Sequence, residues 1–302
     1  MTSWPWMKGC TTAIADPIPP VTAQDDRPSV KKLIDDHRHL IVLVKHELCT
    51  NPLFDTKKHD DLWIVRFLLS HKKKVKDAVK AASFTLAFRK EHKLDETDIR
   101  SFPVGTMDSN CESFRRYLKH CSDDAVRIVV PDEQRGVIGF LRVAGVDHRA
   151  LAEHVDESDW LPSFLHISEW THQWLDFVTR TTGRLTKSPR LVDAAGITLA
   201  ATNKEISRRD GKAMGTMEDC YPQLLQTIFV CHAPMWVQIP WRLMRPLFPK
   251  RVVEKFDFID PEKNENERKR LLKHISLEHL PVRFGGLNET WPVDFSPPST
   301  NG

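Results

Sequence analysis

The stretch APMWVQIPWRLMRPLFPKR, residues 233–251, holds four basic residues, Arg242, Arg245, Lys250 and Arg251, and no acid. Among them stand Met235, Trp236, Ile239, Trp241, Met244, Leu247 and Phe248. Pro240 is tolerated in the first turn of a helix, where its missing N–H has no partner to lose. A helix from Pro240 sets Trp241, Leu243, Met244, Leu247 and Phe248 on one arc and Arg242 and Arg245 on the next. Trp, Phe and Leu beside Arg is the arrangement of a helix that rests in a membrane interface. An ordinary core-facing helix is the competing reading. Just before it, TIFVC at 227–231 is apolar on both faces, as a strand covered on both sides must be.

Working outward, short apolar runs alternate with helical stretches. Val126–Val130, Val137–Val143, Leu191–Ala195, Thr227–Cys231 and Val252–Ile259 read as strands. Pro162–Thr182 and Asn203–Asp219 read as helices. This alternation predicts an α/β fold with a mostly parallel sheet. Ahead of it the spacing is helical throughout. Val30 to Leu48 steps by three and four, Asp60–Ser70 follows, and a third helix runs from Val75 to about His92. The expected organisation is a disordered tail over 1–28, a helical N-terminal unit over 29–100, an α/β domain over 101–290 and a flexible tail over 291–302. Trp4 and Trp6 lie in the first tail.

At 302 residues, 40% hydrophobic and 28% charged, the chain has the composition of a soluble globular protein. No apolar run reaches the ~18 residues needed to span a bilayer, and the first twenty residues lack the apolar segment of a signal peptide. A cytoplasmic protein is expected. The net charge of +3 gives no reason to invoke nucleic acid. Its distribution is uneven, with eleven Lys/Arg against four Asp/Glu between Lys57 and Lys93. That excess suits either an anionic partner surface or a solvated helix face. The six cysteines are scattered without a CxxC pair, so they read as free thiols rather than a disulfide or zinc framework.

No nucleophile elbow, dinucleotide turn or Walker loop appears, and GKAMGT lacks the glycine frame of a phosphate loop. His166, Glu169 and His172 form HxxExxH. Histidines six apart on a helix diverge by about 240°, so the triplet does not chelate a metal from one face. Asp193 at a strand end reads as a turn cap. Catalysis is not expected, nor is a cofactor.

Four segments in order resemble the CRAL-TRIO family of lipid-binding domains. They are DDLWIVRFLLSHKKKVKDAVKAASFTLAFRKEH (60–92), LVDAAGITL (191–199), CYPQLLQTIFVCHAPMWVQIPWRLMRPLFP (220–249) and HLPVRFGGL (279–287). The resemblance implies a sheet that floors an apolar pocket for one lipid, possible ligands including phospholipids. The helix after the Ala-Pro turn then acts as a gate that opens at membranes. Phe140, Ile197, Phe229, Trp241 and Phe248 are expected around the pocket. Gly285 and Gly286 fit either a hinge or a fixed turn.

At the head-group positions of phosphatidylinositol-binding members, this sequence keeps Lys255 but has Gln223 for a glutamate and Val252 for a threonine. Ser188 falls on a polar pocket position of phosphatidylcholine-binding members. Arg190, two residues on, replaces a small polar residue, and it points either into the pocket or out from the sheet edge. Trp236, Arg242, Arg245, Lys250 and Arg251 are expected to dock on an anionic membrane, with Arg251 and Lys255 on a basic pair that contacts phosphoinositides in another member. The partners implied are a lipid and an anionic bilayer, with the protein a monomer. A non-transferring adaptor module is the alternative.

Overall fold

Three helices begin the fold: α1 (Val30–Leu48), α2 (Asp61–Ser70) and α3 (Val75–Glu91). The computed structural model describes residues 25–101, 111–132, 136–199, 203–277 and 280–289. Ser29 caps α1 and Asp60 caps α2, each side chain accepting from a first-turn N–H. Their apolar stripes meet in one cluster around Val44, Leu48, Ile64, Phe67, Leu68 and Ala82. Residues 25–28, expected in a disordered tail, are instead held in place. Arg27 donates to Thr186 at 2.7 Å, Leu185 N donates to Pro28 O, and Val30 N donates to Gly183 O. Residues 25–29 are thus held against the main domain. Trp4, Trp6 and the 291–302 tail lie outside the described residues.

The sheet has five strands in sequence order: β1 (Val126–Asp132), β2 (Gly136–Arg142), β3 (Ser188–Asp193), β4 (Leu225–Cys231) and β5 (Phe256–Ile259). β1 and β2 are antiparallel, and β2 to β5 are parallel. Between them run α4 (Glu112–Leu118, before β1), α5 (His148–His154), α6 (Glu157–Thr182), α7 (Lys204–Cys220), α8 (Gln238–Met244) and α9 (Lys250–Val253). Parallel crossovers share one hand, so a sheet wound always in one direction collects its connecting helices on one face. The other face is covered by α10 (Glu265–Leu272) and the turn over 281–286, packed on Phe140, Leu191, Phe229 and Cys231.

Several boundaries depart from the sequence reading. Helix α6 starts at Glu157 and runs through Pro162. β3 starts at Ser188 and ends at Asp193, whose carboxylate then caps the turn by accepting from Ala195 N at 3.0 Å. The expected strand at 252–259 shrinks to Phe256–Ile259, because Lys250–Val253 make a helical turn after Pro249. Gly285 has φ +81°, and a Cβ on Gly286 would lie 2.6 Å from Leu280 Cβ. This loop packs as a tight turn on the far face of the sheet, which favours the fixed-turn reading.

Candidate functional site

Between the sheet and the helical layer lies a cavity of about 370 Å³. Side chains alternate along a strand, so its floor takes every second residue: Gly139 and Leu141 of β2, Arg190 and Val192 of β3, Ile228 of β4 and Phe256 of β5. Phe164 and Ile167 of α6 and Met214 and Met217 of α7 close the opposite wall. Trp241, Met244 and Phe248 complete it from the segment after the Ala-Pro turn.

That segment is not one helix. Seven residues of α8 give way to a 3-10 turn over Arg245–Leu247, where Pro246 has no N–H to continue the α ladder. Trp241 sits over the sheet edge, with ring centroids 4.5 Å from Phe256, 5.6 Å from Phe258 and 6.0 Å from Phe248. Such aromatic pairs add ~0.5–1.5 kcal/mol each beyond simple burial. The end of the segment lies in a groove on α7. A Cβ on Gly211 would stand 2.9 Å from Leu247 C, and one on Gly215 would stand 3.2 Å from Pro249 Cγ. The glycines of GKAMG are thus a seat for this segment.

The expected site residues divide. Trp241 and Phe248 line the cavity, and so does Arg190. Phe140 borders it only at its strand, because its ring faces the other way, 6.1 Å from Phe284. Phe229 also faces away, its ring 5.6 Å from His274. Placing these two in the pocket took the wrong face of a sheet that is apolar on both. Ile197 packs with Ala194 and Val230 outside the cavity. Ser188 is fully buried and does not reach the cavity wall. Gln223 has φ +64° and donates to Ser70 Oγ at 2.9 Å, tying β4 to the N-terminal unit rather than facing a head group. Lys255 is paired with Glu218, and Glu218 borders the cavity.

On the outer surface, Met235 is 92% exposed, Leu243 75% and Ile239 66%, with Arg242 and Arg245 exposed beside them. Leu243 therefore leaves the arc expected for it. Trp236 is half-buried. Lys250 is exposed, 4.0 Å from Glu254. Arg251 is not a free cation, since it pairs with Asp219 and lies 3.2 Å from His71 Nε2.

Two cavity-lining polar groups, Asp210 and His148, were not found by sequence reading. Asp210 borders the cavity, accepts from Trp160 Nε1 at 3.0 Å and is pushed up to about 6 by burial. Burial pulls the cavity-lining His148 down. Glu169 of the HxxExxH triplet accepts two bonds from Arg89 at 3.0 Å and one from Tyr221 Oη at 2.7 Å. Burial pulls His172 down to about 4. The groove on α7 had a signal in the four-residue spacing of Gly211 and Gly215, which on a helix puts two gaps on one face.

A lipid-sized apolar cavity on the helical face of a parallel sheet, roofed by an amphipathic segment, defines a class of lipid-binding domain. Residues 128–286 match the CRAL/TRIO domain model, more than half the chain, and the chain belongs to that family, which is known for lipid binding and transfer. It is 23% identical to Patellin-3 of Arabidopsis thaliana over 281 residues, which are 89% of this chain and 53% of that protein. It is 28% identical to the SEC14 cytosolic factor of Eremothecium gossypii over 100 residues, 33% of this chain and 30% of the other. The chain thus spans about half the length of Patellin-3 and less of the SEC14 factor. The crystal structure of Sfh5 aligns with a TM-score of 0.44 at 11% identity, covering 78% of this chain and 82% of the other.

Proposed function

We propose that this protein holds one lipid in the cavity and exchanges it with membranes through the segment Met235–Phe248. The observation that carries this reading is the two-sidedness of the segment. Trp241, Met244 and Phe248 face the cavity, while Met235, Ile239 and Leu243 face out beside Arg242 and Arg245. Apolar side chains so exposed are stabilised by entering an acyl interface, and arginines beside them by anionic head groups. The contact between Arg251 and His71 brings the exposed loop Lys72–Lys74 next to the gate's end, which extends the same basic face. Burying a lipid stabilises it by ~0.8 kcal/mol per CH₂ whether in a bilayer or in a pocket. Exchange is then nearly neutral overall, and its rate is set by the gate.

Among the described residues no helix is long and apolar enough to cross a membrane. In this reading the protein is a cytoplasmic monomer that visits membranes peripherally and reversibly and leaves its ligand chemically unchanged. Mass spectrometry of organic extracts from the natively purified protein tests the reading. One lipid per chain is the expected result. Absence of lipid favours a non-transferring adaptor, and a converted lipid would reveal an enzyme.

A further inference from the structure

Arg190 is the anomaly of the cavity floor. It lies at the middle of the sheet, in register with Gly139 on β2 and Ile228 on β4. Its side chain lies across Gly139, where an added Cβ would stand 2.6 Å from Arg190 Cδ and 2.8 Å from Cζ. Gly139 has an ordinary negative φ, so the missing side chain serves this close approach and not a turn. Arg190 lines the cavity, and burial there pulls its guanidinium down to about 10. Among the described residues no hydrogen bond or ion pair engages it, whereas the buried Arg66 and Arg89 each hold an acid.

A desolvated cation without a partner costs several kcal/mol, so it persists only where something else provides the anion. The cavity's own acids do not. Glu218 is occupied by Lys255. Asp210 faces Trp160 Nε1, and among the described residues no ion pair joins it to Arg190.

We propose that Arg190 is an oxyanion-binding residue inside the cavity, and that the ligand is an amphiphile with a net negative carboxylate or phosphate head seated over Gly139. A planar guanidinium presents two parallel N–H groups to such a head. The proposal rests on the lipid-cavity reading and narrows it to acidic lipids.

The test is equilibrium loading of the full chain with four probes: oleate, dioleoyl phosphatidic acid, dioleoyl phosphatidylcholine and dioleoylglycerol, with inorganic phosphate as a soluble control. The parent should take up oleate or phosphatidic acid at least tenfold more tightly than the zwitterionic or neutral probes. Arg190→Met should lose that preference while keeping dioleoylglycerol uptake, and Arg190→Lys should recover part of it. Unliganded Arg190→Met should also melt higher than the unliganded parent, because an unpaired buried charge has been removed. If Arg190→Met keeps the acid preference within twofold, or melts lower when empty, Arg190 is a structural group and the proposal fails while the lipid reading stands. If inorganic phosphate binds as tightly as the lipids, the ligand is a soluble phosphate compound and the proposal fails. If the parent takes up none of the four lipids, the lipid reading falls and this proposal with it.

Discussion

Gly211→Ala tests the seat of the gate directly. The new Cβ would stand 2.9 Å from Leu247 C and closer still to its carbonyl oxygen. Non-bonded heavy atoms rest at ~3.5–4.0 Å, so the backbone at Leu247 must retreat by on the order of 1 Å. Overpacking of this kind costs ~1–3 kcal/mol, while the helix propensity alanine adds to α7 is the same whether the segment is seated or lifted and drops out. The gate can escape the clash by lifting, and α7 cannot, because it packs on α6, α3 and α5. A net ~1.4 kcal/mol spent on gate closure raises the open fraction about tenfold. Transfer of a fluorescent lipid between vesicles should therefore speed up by roughly that factor, with the helical signal and the melting temperature of the main transition little changed. Gly215→Ala, whose Cβ meets Pro249 Cγ at 3.2 Å, should give the same effect in weaker form. Equal transfer by parent and Gly211→Ala, or a larger effect at 215 than at 211, would refute the seat.

Arg242→Glu/Arg245→Glu should weaken binding to anionic vesicles and lower lipid transfer in parallel, with the protein still folded. Each cation near such a surface contributes ~1 kcal/mol, and the loss should shrink in high salt. Asp210 holds its proton to a higher pH in the folded state than its ordinary 3.8, so the stability it allows is complete below that value and falls as pH rises towards 6. Asp210→Asn should flatten this dependence, adding up to ~3 kcal/mol at pH 7 and nothing near pH 3.5 in denaturant titrations. Arg89→Met leaves the buried Glu169 with Tyr221 and Gln173 alone and should cost ~3–5 kcal/mol by the same measurement.

The helices were legible because their apolar residues repeat at helical spacing and their caps are local: Ser29, Asp60 and Asn203 each accept from N–H groups two or three residues ahead. The strands were legible as runs, but not the face each residue takes. Phe140 and Leu141 are equally apolar, and nothing local says that one meets Phe284 and the other a cavity. The gate was read as one helix because the arc of Trp241, Leu243 and Phe248 ignored Pro246. Long-range pairs were silent for a different reason. Arg66 meets Asp176 across 110 positions and Arg89 meets Glu169 across 80, and only the folded chain brings such charges together.

Those pairs also bear on how the proposed gate moves. Arg66 and Arg89 fasten α2 and α3 to α6, and Thr85 donates to the carbonyl oxygen of Asp219 at the end of α7. The carboxylate of the same Asp219 receives Arg251. The segment beyond Pro249 is therefore tied to the N-terminal unit, and the segment before Pro234 belongs to β4. Opening is confined to the residues between, whose inward hold is the Trp241–Phe256 contact, the Gly211 groove and one bond from Ser207 Oγ to Met244 Sδ at 3.0 Å. Their outward face carries three exposed apolar residues and two exposed arginines. A bilayer would replace the inward contacts with burial of that outer face, so membrane contact and opening favour each other. Truncating Trp241 to Ala removes the largest inward contact while leaving the docking face whole. That variant should release lipid faster in solution yet bind vesicles as the parent does, as measured by dequenching of a bound fluorescent lipid and by vesicle sedimentation. A loss of vesicle binding would mean that Trp241 itself enters the bilayer and that the division into inner and outer faces is wrong.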